Sequence, residues 1–328
     1  MKRIIFIFLI SFFFLFFLFI FFQKSFSFKT KNPSVFEVKK GEGFFEIGRR
    51  LENEGFIKNR YAFYLYAFFK GDWKKLAAGR YKFQGLRLKD IVQKMRGGRV
   101  ELSKIMIVDG MRLWEIDEIL IKNKIIKRPL SSFKIKDFKE QFSFLKDIDE
   151  NLPLEGFLFP DTYFFYLEMD EKEVVRIFLE NFERKVLPFE KEIKKRNKTL
   201  FEILIVASML EKEVRGKENK KLVAGLLFKR LRNNMLLQVD ATVNYALKQN
   251  KTRISLQDLK VDSPYNTYKY PGLPKGPISN PSLESIEAAV FPQESDFWFY
   301  LTTKEGSVIF SKTFAEHLKN KIIYLKND

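Results

Sequence analysis

Residues 4–22 run for nineteen positions without a charge, Ser11 being the single polar side chain among them. No other stretch constrains this chain so strongly. As a helix it would span about 28 Å at roughly 1.5 Å per residue, which matches a bilayer hydrocarbon core of about 30 Å. A cleavable secretory signal has a shorter apolar stretch of about 7 to 15 residues that ends in a small-x-small site. Ser25-Phe-Ser27 has that form, but the length of the stretch and the ten Phe between Phe6 and Phe22 favour an uncleaved anchor. Lys2 and Arg3 favour an inside start, although Lys24, Lys29 and Lys31 on the other flank weaken the asymmetry. The expectation is a cytoplasmic N-terminus at 1–3, a transmembrane anchor at 4–22, and the remainder on the extracytoplasmic side of the cytoplasmic (inner) membrane in a single-pass protein.

The chain has 328 residues, no Cys and one His. Disulfide scaffolds, thiolate metal sites and cysteine nucleophiles are excluded, and multi-histidine metal centres are disfavoured. No metal and no cofactor is expected. Chemistry must rest on carboxylates, hydroxyls and amines. The 59 Lys and Arg against 41 Asp and Glu give a net charge of +18, which suits nucleic acid, anionic lipid or an acidic polymer as partner. Outside the cytoplasm nucleic acid is scarce, and no recognition motif with interleaved aromatics is present. The basic surface is expected to face lipid or cell wall, not nucleic acid.

Beyond the apolar stretch, the spacing predicts a strand at 35–39, helices around Ile47 to Phe56 and over 61–69, a strand from Gly79, and a helix over 88–95 stopped by Gly97-Gly98. A further strand at 105–108 precedes a helix carrying Leu113, Ile116, Ile119 and Leu120. We read 33–150 as small α+β units and 151–328 as a second domain. That domain begins with strand and loop around Gly156 and Pro160, followed by a helix over 174–186 and a nearly all-apolar helix over 200–210. A helix over 219–231 comes next, and Asp240 reads as the N-cap of a helix over 241–247. Five of the eleven Pro lie between Pro264 and Pro281, which predicts a stiff ordered loop of the functional kind. The chain closes with a helix from Pro281, strands at 297–302 and 308–310, and a helix opened by the capping box Thr313-x-x-Glu316.

Glu211 and Glu213 end the apolar helix. Two residues apart is about 200° of rotation, so the two carboxylates cannot face one site together. At most one is the working group. A Glu held against the apolar shoulder of a buried helix has its charged form disfavoured, which suits a general acid. From the residues alone, a solvated helix end is the simpler reading. Capping is likewise the simpler reading for Asp240, turn formation for Glu155 and Asp161, and packing for His317. Tyr163, Tyr265, Tyr268 and Asn266 have the composition of a sugar-binding groove.

Four long motifs change this balance: Glu155-Gly-Phe-Leu-Phe-Pro-Asp-Thr-Tyr163, Ala207-Ser-Met-Leu-Glu-Lys-Glu213, Leu237-Gln-Val-Asp-Ala-Thr-Val-Asn-Tyr245, and Ser263-Pro-Tyr-Asn-Thr-Tyr268 continuing through Gly272-Leu-Pro-Lys-Gly-Pro-Ile-Ser-Asn-Pro281. In this order they resemble the bacterial endolytic murein transglycosylases of the MltG/YceG type. Phe310-Ser-Lys-Thr-Phe-Ala-Glu-His317 resembles that family's closing motif. Gly79-Arg-Tyr81 with Val108-Asp-Gly-Met111 resembles its membrane-proximal LysM-like region.

The resemblance implies an α+β protein with a single N-terminal transmembrane helix, a LysM-like α+β subdomain within 33–150, and a mixed α+β YceG-like catalytic domain over 151–328. It implies a membrane-anchored lyase that cuts MurNAc-GlcNAc bonds of nascent glycan strands internally, leaving 1,6-anhydro-MurNAc ends and ending strand elongation. Peptidoglycan strands are the implied substrate, and peptidoglycan synthases are candidate partners. The catalytic glutamate maps to Glu213, with Glu211 the runner-up. Gln238, Asp240, Tyr265, Asn266 and Tyr268 are expected to line the groove, Glu155 to support it, and Asp161, Tyr163 and Asn280 to complete the binding set. Val239-Asp-Ala241 departs from the family's Ser or Thr, Asp, Pro pattern. The competing readings are a non-catalytic wall-binding scaffold and a two-carboxylate glycan hydrolase.

Overall fold

The computed structural model describes residue 28 and residues 34–83, 85–96, 102–251, 254–303 and 305–325. The expected N-terminus at 1–3 and anchor at 4–22 lie outside the described residues. Within them, no helix is long and apolar enough to cross a membrane.

The chain divides into two compact units, residues 1–103 and 104–328. In the first, β1 (Ser34–Val38) turns Phe36 and Val38 inward, as its alternation demands. It pairs antiparallel with β2 (Gly79–Phe83), Phe36 lying opposite Tyr81. Between them lie α1 (Phe44–Asn53), which buries Ile47 and Leu51 at helical spacing, and α2 (Arg60–Phe69). The Asn59 side chain accepts from the Tyr61 and Ala62 N–H groups and so caps α2. After β2 comes α3 (Leu88–Arg96), buried through Leu88, Ile91, Val92 and Met95. The order strand, helix, helix, strand, helix is the one the apolar spacing predicts. Its core gathers Phe36, Phe56, Phe63, Tyr81 and Phe83.

The second unit opens with β3 (Ser103–Met106), which pairs with β4 (Thr162–Phe165). Between them run α4 (Leu113–Lys122) and three single 3₁₀ turns. Helices α5 (Glu171–Val186), α6 (Glu190–Lys195), α7 (Leu200–Glu213), α8 (Lys217–Arg232) and α9 (Asp240–Ala246) follow. The loop rich in Pro then leads to α10 (Leu283–Val290), the antiparallel hairpin β5 (Phe299–Thr302) with β6 (Val308–Ser311), and α11 (Phe314–Leu325). Thr313 and Glu316 form the predicted capping box, each side chain accepting from the other's backbone N–H. Asp240 does not cap: Val239 holds the N-cap position of α9 and Asp240 is its first residue.

The division between units falls at Ser103, not near residue 150. Residues 104–150 join the second unit because Ile105, Ile116, Leu120, Leu130, Phe138 and Leu145 enter the same apolar core as α5 and α7. The strand partner of β3 also lies beyond residue 150. That core centres on α7, whose residues from Ile203 to Leu210 are all buried. Thr199 and Glu202 close a capping box at its start.

Gly225 in α8 marks the closest backbone approach around this centre. A Cβ there would fall 1.9 Å from the Gln293 carbonyl oxygen. Because backbone cannot swing aside as a side chain can, Gly225→Ala should destabilise by about 1–3 kcal/mol. Calorimetry should show Tm falling by several degrees; an unchanged Tm would mean that α8 and the segment at Gln293 separate freely.

Candidate active site

The polar end of α7 sends its two glutamates to different neighbours. Glu213 is half-buried, and its Oε1 accepts the Ala241 N–H of α9 at 3.0 Å while Oε2 accepts the Tyr300 hydroxyl of β5 at 3.3 Å. The Thr302 hydroxyl donates to the Glu213 carbonyl at 3.1 Å, tying the helix end to the same strand. Burial pushes the Glu213 carboxyl up to about 7, and the neighbouring Asp240 charge adds to the rise. The Ala241 and Tyr300 hydrogen bonds oppose it without cancelling it.

Asp240 accepts the Tyr268 hydroxyl. The segment before Asp240 is held against the loop, Gln238 N–H donating to the Thr267 carbonyl at 3.1 Å and Val239 N–H to the Thr267 hydroxyl at 3.0 Å. Gln238 adopts φ +53°, a left-handed conformation that a non-glycine residue rarely holds, and its side chain is exposed. Behind this surface Arg230 is buried. It donates to the Trp298 carbonyl at 2.9 and 2.7 Å and to the Leu237 carbonyl at 2.7 Å. One guanidinium thereby joins the approach to Asp240 with the approach to Tyr300, and burial lowers its pKa.

Glu211 points to the start of α10. Its Oε2 accepts the Ser282 N–H at 2.9 Å, the Ser282 hydroxyl, and the Ser285 hydroxyl at 2.7 Å, while Lys220 Nζ lies 3.5 Å from Oε1. Burial pushes this carboxyl upward, but the three hydrogen bonds and Lys220 outweigh it and hold it below the usual range. Glu211 is therefore an ionised anchor for a helix N-terminus.

The structure separates the other predicted residues into two groups. Gln238, Asp240 and Tyr268 surround Glu213 or its supports, and half-buried Tyr265 packs against Tyr245 of α9 with ring centres 4.8 Å apart. Asn266 does not line a groove: it is fully buried, and its amide donates to the Leu259 and Val261 carbonyls, both at 2.8 Å. Tyr163 is also core, its hydroxyl donating to the Phe159 carbonyl at 2.5 Å and accepting from Asn181 at 2.8 Å. Asp161 accepts its own neighbour's Thr162 N–H at 2.8 Å and the Asn181 amide at 3.2 Å. Each sits where packing between β4 and α5 needs it.

Glu155 and Asn280 form a buried cross-link. Both Glu155 oxygens accept the Leu113 N–H at the start of α4, at 3.0 and 3.1 Å, and Oε1 accepts the Asn280 amide at 3.1 Å. Asn280 also accepts from Leu158 N–H at 2.9 Å and donates to the Met111 carbonyl at 2.9 Å. Burial pushes Glu155 up to about 8. His317 is buried with its ring stacked 5.2 Å from Phe299, and burial lowers it to about 4, which makes it a neutral packing residue.

Arg230 and Tyr300 escape sequence reasoning altogether. Arg230 sits in the last turn of an ordinary amphipathic helix, and Tyr300 is one aromatic in a strand of aromatics. Among the described residues no cluster of His, Asp and Glu could hold a metal ion. What the arrangement offers is a carboxyl that is about half protonated near neutrality.

A family model described as the YceG-like family matches residues 36–322. The chain belongs to the YceG-like family. Among its relatives, the endolytic murein transglycosylase of Bacillus subtilis is 31% identical over 314 residues, covering 91% of this chain and 86% of that protein. The endolytic murein transglycosylase of Streptococcus pneumoniae serotype 2 is 29% identical over 323 residues, covering 86% of this chain and 57% of its own. The chain thus spans little more than half of the pneumococcal relative. A 2.6 Å crystal structure of a yceG-like protein from Listeria monocytogenes superposes with a TM-score of 0.60 at 31% identity, covering 88% of this chain and 99% of that one. The YceG-like fold accordingly spans the α+β units described above.

The two glutamates should respond oppositely to pH. An unfolded Glu titrates near about 4.3, so folding raises the pKa of Glu213, and the folded state holds the extra proton between there and about 7. Stability from this group declines as pH rises through that window and stays low above it. Glu213→Gln should therefore stabilise by on the order of 2–3 kcal/mol near pH 8 and by almost nothing near pH 4. The lowered Glu211 carboxyl contributes stability above its unfolded pKa that is lost as pH falls through the folded one, so Glu211→Gln should lower Tm near pH 8 and converge on wild type in acid. Thermal unfolding at both pH values checks the pair; Tm shifts of the same sign at alkaline pH would refute this assignment of the two environments.

Proposed function

We propose that this chain is a membrane-anchored endolytic lytic transglycosylase of peptidoglycan, a lyase, with Glu213 as its single acid–base group. The observation that carries the reading is the Glu213 carboxyl, raised to about 7 at the end of a buried helix while Glu211 beside it is engaged elsewhere. The name of the Bacillus subtilis relative, which this chain matches over most of both lengths, supports the substrate.

In the reaction, Glu213 protonates the glycosidic oxygen as the bond to the MurNAc anomeric carbon breaks. The C6 hydroxyl of the same MurNAc bonds to that carbon and gives its proton to the Glu213 carboxylate. One bond breaks, one forms, the proton returns to the enzyme, and no water is consumed. The substrate supplies its own nucleophile at high effective molarity, so no second carboxylate is needed. The Tyr300 and Ala241 donors stabilise the glutamate while it is charged. Asp240, held by Tyr268, keeps its proton affinity high. In this reading exposed Gln238 and half-buried Tyr265 and Tyr268 contact the sugar.

In this reading residues 4–22 cross the cytoplasmic membrane once with residues 1–3 inside, and both units lie on the outer side, where nascent strands are made. The antiparallel β1–β2 pair enclosing α1 and α2 supports a LysM-like role for the first unit in holding glycan. Cutting strands as they emerge would end their elongation beside the synthases.

Full-length protein incubated with uncrosslinked glycan strands should leave anhydro-muramyl ends, one water lighter than reducing ends by mass spectrometry. Glu213→Gln should reduce the rate by about 10²–10⁴. Reducing ends abolished by Asp240→Asn would make it a two-carboxylate hydrolase, and strand binding without cutting would make it a scaffold.

Because Glu213 must begin protonated, kcat/KM should fall as pH rises through about 7. Tyr300→Phe removes a hydrogen bond to the charged form and should move that alkaline limb upward. Asp240→Asn removes a neighbouring negative charge and should move it downward. A limb that neither variant moves would assign the titration to another group.

A further inference from the structure

The first unit carries an exposed aromatic surface that the Glu213 chemistry does not use. Phe45, Phe68 and Phe69 are 69%, 63% and 78% exposed, and Tyr61, Leu65 and Trp73 join them at the surface. Their rings touch in series: Phe45 to Phe44 at 5.4 Å, Phe44 to Trp73 at 6.4 Å, Trp73 to Phe68 at 6.3 Å, and Phe68 to Phe69 at 6.4 Å. Tyr64 connects Phe45 at 5.1 Å to Tyr61 at 6.1 Å. Single exposed hydrophobic residues are ordinary on a protein surface, but a contiguous patch marks an interaction site.

The patch has a cationic edge. Lys70, Lys74 and Lys75 are exposed, and among the described residues none has a carboxylate within ion-pair distance. Lys74 Nζ lies 4.6 Å over the Trp73 ring, and the Arg60 guanidinium lies 5.3 Å over Tyr61. Aromatic side chains of this kind favour the headgroup boundary of a bilayer, with lysines reaching up to the phosphates. Anionic headgroups complement the unpaired lysines. Location supplies the second argument: eleven residues, 23–33, separate the apolar stretch from β1. Fully extended at about 3.6 Å each, they reach no further than about 40 Å.

We propose that the aromatic face built by α1, α2 and the Lys70 to Lys75 turn docks into the anionic outer leaflet of the membrane that residues 4–22 cross. The anchored reading above supplies the bilayer; the patch supplies the contact. The unit then lies against the lipid, its orientation fixed by the patch.

The absence of Cys permits a clean test on the full chain in vesicles of phosphatidylcholine with phosphatidylglycerol. Phe69→Cys and, separately, Lys89→Cys at an exposed position of α3 carry an environment-sensitive fluorophore, and lipids bearing a nitroxide high on the acyl chain act as quencher. The Phe69 label should be quenched severalfold more than the Lys89 label. Phe45→Ser with Phe68→Ser should remove most of that difference, as should the charge reversal Lys70→Glu, Lys74→Glu, Lys75→Glu, which leaves the rings in place. Equal quenching of the two labels, or none, overturns docking. Alkaline carbonate extraction reads the anchor independently: protein that stays with the lipid while the Phe69 label remains in water fails docking alone, and protein extracted while that label had been quenched fails the anchor alone. A Phe69 label that responds to glycan strands or to protein concentration but not to the lipid quencher assigns the patch to those partners and overturns the proposal.

Discussion

Burial of α7 on nearly every side is the constraint from which the candidate site follows. A helix whose residues from Ile203 to Leu210 are all buried has no wet face, so the first polar positions at its end decide what its surroundings must provide. The turn of about 100° per residue then sends Glu211 and Glu213 apart. One meets the N-terminus of α10, two serine hydroxyls and a lysine, and stays ionised. The other meets a single amide, a tyrosine hydroxyl and a carboxylate, and its charge is disfavoured. Two identical side chains acquire opposite shifts from one helix geometry, and the proposed acid and support roles rest on that split.

Arg230 then explains how groups from distant parts of the chain meet at Glu213. Asp240 belongs to α9 and Tyr300 to β5, and neither position could be held by local structure alone. The buried guanidinium bonds the Leu237 and Trp298 carbonyls, each a few residues upstream of one of those side chains. A buried charge is tolerated only when its donors are satisfied, and here the acceptors are backbone, with no ion pair to a carboxylate among the described residues. Loosening it would move both partners of Glu213 at once.

Legibility from the sequence followed the locality of each feature. The first unit was readable because Gly79 and Gly97-Gly98 punctuate it and its apolar spacing is regular. The division between units was not, because the apolar spacing of residues 104–150 cannot say whose core it enters; that depends on β4 and α5, which come later in the chain. The divergence of Glu211 and Glu213 was readable from rotation per residue alone. Asn266 was expected in the groove and Tyr163 and Asn280 in the wider binding set because a buried polar group that ties backbone segments together has the same composition as one that binds sugar. Only their partners distinguish them. Arg230 and Tyr300 carried no signal, since their roles arise from contacts with residues 68 and 87 positions away.

Several features that oppose stability lie near Glu213. Glu213 is disfavoured from ionising, Gln238 holds a left-handed backbone, and Arg230 is a buried cation without a carboxylate partner among the described residues. Elsewhere in the same unit Asn266 is saturated, Asn280 bridges three segments and Glu211 caps a helix, while Glu155 is desolvated as Glu213 is. Folding alone would favour an ionised, solvated Glu213 and a glycine at position 238. Strain and desolvation persist only where surrounding structure enforces them, and the enforcing contacts here, through Thr267, Tyr268 and the Arg230 clamp, serve no other visible end. Glu155 is raised further, to about 8, but it is buried with its oxygens taken by the Leu113 N–H and the Asn280 amide. Glu213 is only half-buried, and that difference in access is what favours Glu213 as the acid in the proposed reading.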